Sequence, residues 1–134
     1  MHFIDTHILL AAGSQAPGDR SKKQRAIALI QEGDLVLSAQ VLQEFVANAL
    51  GKKALGFTDT NISETLVSLR FVRVLPITHD LVEKAWSNSR RFQISYWDAA
   101  IVTAALELGC EILYSEDLNH GQDYGGVRVI NPFK

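Results

Sequence analysis

The stretch from Ser95 to Gly109 constrains the chain most. It reads Ser-Tyr-Trp-Asp-Ala-Ala-Ile-Val-Thr-Ala-Ala-Leu-Glu-Leu-Gly, apolar on most faces of a helix, with one acid, Asp98, in the first turn. A helix that is apolar nearly all round belongs inside a domain. Ile101, Val102 and Ala105 follow Asp98 at i+3, i+4 and i+7, so its carboxylate stands above an apolar row. A buried charge without a partner is too costly to keep ionised. Two readings fit. Ser95 and Asp98 have the spacing of a capping box, and an acid in the first turn complements the helix dipole. Alternatively, Asp98 joins other acids at a shared site.

The frame for either reading is one domain over residues 1–134, long enough to bury roughly two-thirds of its unfolded surface without staples. Apolar residues make up 47% of the chain, enough for a conventional core. The net charge of −2 and a pI near 6.0 argue against gripping nucleic acid by bulk electrostatics, while leaving room for a local basic rim. One cysteine, Cys110, has no internal disulfide partner, which suits a reducing cytoplasm; it reads as a small core residue. Apolar runs fall far short of the roughly 20 residues of a membrane span, so no membrane association is expected.

Taken in order, Met1 to Ile4 reads as a strand that ends at Asp5 and turns straight into an apolar helical run, Ile8 to Ala12. A loop around Pro17-Gly18 precedes a helix that opens on Arg20, Lys22, Lys23 and Arg25 and stops at Gly33. Leu35 to Leu37 is a second strand, and Ser38 a helix cap. On the following helix Val41, Leu42, Phe45, Val46 and Ala49 form the apolar arc. Glu44 lies off the arc's centre, facing either solvent or a cleft, and periodicity does not separate these. Asn61 and Glu64 have a capping-box spacing for a helix through Leu69; Phe71 to Leu75 is a third strand. Thr78 caps a helix on which Leu81, Val82, Ala85 and Trp86 recur at helical spacing, which predicts Trp86 in the core. Beyond the Asp98 helix, Glu111 to Tyr114 is a strand ending in Ser115-Glu116-Asp117, and Val127 to Ile130 is the last. Short strands alternating with helices predict an α/β fold, a three-layer sandwich around a mainly parallel sheet.

That topology gathers the acids. Asp5 and Asp117 follow strands whose carboxyl ends share one edge, the edge where sites form in parallel sheets. Asp98 opens the helix leading into the second of those strands, and Glu44 rides a helix that starts at another strand end. Four carboxylates converging uncompensated would repel and raise one another's pKa values. A hard divalent cation with oxygen ligands, Mg²⁺ or Mn²⁺, resolves the conflict. No motif for a serine, P-loop or zinc-protease mechanism is present, so metal-activated water is the simplest attacking group.

At these positions the sequence resembles the PIN-domain ribonucleases, in particular VapC-like toxins of toxin-antitoxin modules. Phe3-Ile-Asp-Thr-His-Ile-Leu-Leu10 is similar to the family's opening block and Leu37 to Phe45 to its second, which carries the glutamate. Ser95 to Ile101 and Leu113 to Gly121 resemble the third and fourth, and Asn131-Pro-Phe133 the ending of one VapC-like subgroup. The blocks stand in order over the whole length. The resemblance implies Asp5, Glu44, Asp98 and Asp117 as catalytic metal-site acids, with Thr6 and Ser115 as hydroxyls orienting them. It further implies a Mg²⁺- or Mn²⁺-dependent endoribonuclease leaving a 5′-phosphate, an RNA substrate, a cognate antitoxin, a homodimer and a cytoplasmic setting. His7 departs from the commoner asparagine. Glu116 is expected in solvent rather than as a fifth acid. Arg20, Lys22, Lys23, Arg25, Lys52, Lys53, Arg90 and Arg91 are candidate phosphate contacts, each equally readable as part of a solvated basic face. Phe45, Val46 and Phe57 fit an antitoxin groove or the core.

Other classes stay open at this point. A PIN enzyme for RNA processing or DNA cleavage shares every motif. A catalytically silent PIN binding module would be expected to have lost one acid, and all four are present. Phosphoryl transfer through Asp5 usually needs a second acid beside it, which Thr6-His7 does not supply.

Overall fold

The computed structural model, which describes residues 1–134, alternates strands and helices almost throughout. In chain order these are β1 (His2–Ile4), α1 (Thr6–Gly13), α2 (Arg20–Gln31), β2 (Leu35–Ser38), α3 (Ala39–Gly51) and α4 (Asp59–Ser68). They continue with β3 (Arg73–Leu75), α5 (His79–Phe92), α6 (Tyr96–Glu107), β4 (Ile112–Tyr114), β5 (Asp123–Tyr124) and β6 (Val127–Ile130). The strands form one six-stranded sheet in the order β3-β2-β1-β4-β6-β5, parallel except for the last pair.

The chain first steps from β1 outward to β2 and β3, then returns to lay β4 on the other side of β1. Because such crossovers are right-handed, reversing direction moves the connecting helices to the opposite face. Accordingly α1 packs on α2 and α3, and α5 packs on α6. The result is a three-layer α/β/α sandwich with its switch point between β1 and β4, the place where open α/β sheets form a crevice.

α6 is covered by α5 and by the sheet, and Ala99 to Ala105 are all buried. Its small side chains let α5 approach closely, and the one polar group on the buried run, Thr103, is satisfied. Its hydroxyl donates to the Ala99 carbonyl at 2.6 Å and accepts from Asn88 Nδ2 at 2.9 Å. Cys110 is buried, as expected of a small core residue.

The caps at Ser38, Thr78 and Ser95 are present, each accepting from a backbone N–H in the first turn. The start of α4 differs from the sequence reading. Thr58 and Asn61, not Asn61 and Glu64, form the reciprocal capping box, so the helix begins about one turn earlier. Phe71 lies in a 3₁₀ turn before β3 and is 94% exposed. Trp86 is 57% exposed rather than core. α5 turns Leu81, Ala85 and Ser89 inward, which leaves Trp86 on the flank under the Arg90 guanidinium, 5.9 Å from its ring.

Phe45 is fully buried in the main core, edge-on to Phe57 at 5.5 Å between ring centroids. It is therefore core, not groove. Phe45→Ala is expected to cost about 3–5 kcal/mol, read as a lower denaturant midpoint at unchanged slope.

Candidate active site

β1 and β4 are hydrogen-bonded neighbours with Ile4 opposite Tyr114, and the Asp5 N–H donates to the Tyr114 carbonyl at 3.0 Å. The residues just past both strands, Asp5 and Ser115, are therefore held side by side. Asp5 is 5% exposed. Its Oδ1 accepts from the Thr6 N–H at 2.7 Å, capping α1, and its Oδ2 accepts from the Ser115 hydroxyl at 2.8 Å. Burial pushes the Asp5 carboxyl up from its ordinary 3.8 to about 6, against the two hydrogen bonds and His7, which favour the charged form. Repulsion from Asp117 adds to the rise but is a smaller cause than burial. The sequence reading assigned the strain to mutual repulsion; desolvation of one acid dominates instead.

Asp5 lies in a cleft of about 220 Å³ that is also lined by Thr6, His7, Glu44, Asn48, Trp97, Asp98, Ile101 and Asp117. All four acids named from the sequence thus line one cleft at the switch point. Each arrives by its own route. Glu44 projects from α3, where its Oε1 accepts from Gln40 Nε2 at 3.2 Å and, more weakly, from the Thr6 hydroxyl at 3.4 Å. Glu44 therefore faces the cleft rather than open solvent. Asp98 donates its backbone N–H to the Ser95 hydroxyl at 3.1 Å, but no bond returns from Ser95 to its carboxylate. The cap belongs to Ser95, and the Asp98 side chain is left for the cleft. Asp117 follows β4, its N–H donating to the Ser115 hydroxyl at 3.3 Å and its Oδ2 2.8 Å from His7 Nε2.

The two hydroxyls thus do different things: Ser115 ties Asp5 to the Asp117 backbone, and Thr6 reaches Glu44. Glu116 is half-buried and paired with Lys22, outside the acid cleft. Glu116 lines a small neighbouring cleft with Lys22, Lys52 and His7, the last of which stands between the two clefts. Of the other basic candidates, Arg25 donates to the Pro132 carbonyl at 3.2 Å, and the Arg90 and Arg91 guanidinium groups lie over Trp86 and Phe92.

No three His, Cys, Asp or Glu side chains converge into a ready-made ion cage. The donors form the walls of a polar cleft instead. An all-oxygen set around one buried carboxylate fits a hard cation such as Mg²⁺ or Mn²⁺, and Mg²⁺ in particular keeps several waters and takes one or two carboxylates directly.

Two lining residues, Asn48 and Trp97, carried no sequence expectation, and neither did Gln40, which holds Glu44 from outside the lining. Gln40 is 8% exposed and its Nε2 also donates to the Trp97 carbonyl at 3.3 Å, tying α3 to the start of α6. Its signal was available as an amide one helical turn before Glu44. Trp97 is visible only as the neighbour of Asp98.

A strand-end aspartate at the switch point of a 3-2-1-4 sheet, with three further acids on the cleft walls, defines the class. The chain belongs to the PIN domain family, whose model matches residues 2–122. Among solved structures it is similar to a toxin-antitoxin complex from Klebsiella pneumoniae, with 17% identity, TM-score 0.72 and 98% of each chain covered. It is also similar to VapC20 of Mycobacterium tuberculosis, a sarcin-ricin loop cleaving toxin, with 23% identity, TM-score 0.68, and 87% of this chain and 90% of that one covered. VapBC2 from Rickettsia felis, bound to a promoter DNA fragment, is a third, at 15% identity, TM-score 0.65 and 96% of each chain. No curated protein sequence matches at a significant level. No helix is long and apolar enough to cross a membrane.

Proposed function

We propose that residues 1–134 form a single nuclease domain that hydrolyses RNA phosphodiester bonds with Mg²⁺ or Mn²⁺, acting as the toxin of a toxin-antitoxin pair. The observation that carries this reading is the buried Asp5, held by Ser115 and Thr6 on the wall of a cleft lined by Glu44, Asp98 and Asp117. Asp5, Asp98, Glu44 and Asp117 would hold the ion. When bound, it supplies positive charge that polarises the scissile phosphate and acidifies water at the site. Ser115 fixes Asp5, Thr6 and Gln40 fix Glu44, and His7 Nε2 holds Asp117 Oδ2 in place.

The toxin reading draws on the similar solved structures that carry toxin and antitoxin together. On this chain, Leu42, Val46, Ala47, Leu50 and Leu66 form an apolar surface on α3 and α4, which an antitoxin segment would cover. A homodimer and a cytoplasmic setting belong to the same reading.

Induced expression in a bacterial host tests it. Growth arrest with new 5′-phosphate RNA ends, both absent for Glu44→Gln, is the expected result; continued growth with intact RNA at equal protein levels would contradict it. Ser115→Ala is expected to weaken Mn²⁺ binding about 10- to 100-fold in calorimetry, because Asp5 loses the hydroxyl that orients it and favours its charged form.

A further inference from the structure

We propose that Trp97 is a stacking platform for the base of the nucleotide beside the scissile phosphate. The inference rests on the nuclease reading and adds the residue that positions its substrate.

A single exposed aromatic is ordinary on a protein surface, so the 65% exposure of Trp97 carries little alone. Its position and its fixation carry more. Trp97 precedes Asp98 directly and is one of the residues at the acid cleft. Its backbone carbonyl is held by the buried Gln40, whose same nitrogen holds Glu44. Its ring is braced edge-on by Tyr96, with centroids 5.2 Å apart at 79°. The backbone that carries the indole is thus tied to Glu44 through Gln40, and the ring stands beside the cleft against Tyr96 with most of its surface open.

The other exposed aromatics lack this combination. Trp86 lies beneath Arg90 on α5, and Phe71 lines an apolar cavity with Gly33, Leu35 and Arg73, at the start of β2 and β3. That is the opposite end of the strands from the acids.

A cleft walled by carboxylates repels phosphate wherever no cation neutralises it, so binding needs a neutral contribution. An indole face supplies one that accepts any base, because every base has a π-face. A base that stacks on protein must leave its own helix. Paired RNA is therefore a poor partner for the indole, and loops or single strands are good ones.

Two measurements test the proposal with short labelled oligoribonucleotides and Mn²⁺. The first uses Asp5→Asn, Trp86→Phe protein, in which the cleft does not cut and Trp97 is the remaining tryptophan. Oligoadenylate is expected to quench its emission, and the same strand in a duplex is not. Trp97→Ala in the Asp5→Asn background should weaken oligoadenylate binding about 5- to 100-fold by anisotropy, with Trp97→Tyr restoring most of it. The second follows cleavage by the enzyme with its acids intact. Trp97→Ala should raise KM by a similar factor and leave kcat within about threefold.

Equal affinity for Trp97→Ala, or quenching by the duplex as strong as by the single strand, would overturn the proposal. So would a changed oligomeric state of Trp97→Ala at unchanged RNA affinity, which would assign the ring to an interface between copies. Quenching without metal-dependent cutting of any RNA would support the platform and contradict the nuclease reading, so the two fail separately.

Discussion

Asp5→Asn is expected to abolish RNA cleavage and at the same time to stabilise the metal-free protein at neutral pH. Both effects have one origin. The Asp5 carboxyl is buried and raised from 3.8 to about 6. Between those values the folded protein binds more protons than the unfolded chain, so this group's stabilising contribution is present below about pH 4 and is lost as pH rises through about 6. Above that window the ionised form remains, at an upper-limit cost of about 3 kcal/mol. Asparagine keeps the shape, and its carbonyl still accepts from the Thr6 N–H. Its amide can donate to Ser115, whose hydroxyl accepts as well as donates. Urea melts at pH 7 and pH 4.5 without metal should therefore show the variant more stable by up to about 3 kcal/mol at pH 7 and by much less at pH 4.5. Equal stability at both pH values would show that the burial cost had been misassigned. With saturating Mn²⁺ the order is expected to reverse, because the ion rewards the carboxylate that the metal-free fold penalises.

The second large effect separates the two readings of Asp98. If its carboxylate capped α6, Asp98→Asn would loosen the helix start; if it serves the cleft, the variant folds and does not cut. The structure gives the capping bond to the Ser95 hydroxyl and leaves the Asp98 carboxylate without a return bond. Ser95→Ala is thus expected to lower stability by about 1 kcal/mol while retaining most activity. Asp98→Asn should lower cleavage at least about 100-fold with an unchanged circular dichroism spectrum and melting temperature. The reverse pattern would return Asp98 to the cap.

The strand ends and most caps were legible because each has a local cause. A hydroxyl placed before an apolar period, as at Ser38, Thr78 and Ser95, meets the orphan N–H groups of the following turn. Asp5, Asp98 and Asp117 could be placed together because strand-end and helix-start positions converge once the sheet is parallel; Glu44, in mid-helix, came from the family resemblance, since periodicity left it between solvent and cleft. β5 was not. It is a two-residue strand held by an antiparallel turn in which Gly125 and Gly126 take positive φ and Asp123 accepts from the Gly126 N–H, too short to show a period. Trp86 misled because helical spacing identifies a face without fixing its width. α5 fully buries only Leu81, Ala85 and Ser89, a stripe too narrow to reach Trp86. Gln40 was hidden because a polar residue beside an apolar arc looks solvated until the first turn of α6 is brought within reach of it.

The most direct measurement of the central claim is cleavage of a mixed RNA pool by the purified protein with Mg²⁺, with Mn²⁺ and with EDTA, alongside Asp5→Asn. Cutting that needs the divalent ion, stops with EDTA and is absent in the variant is the predicted result. Cutting that persists in EDTA or in Asp5→Asn would place the activity outside the four-carboxylate cleft and contradict the account.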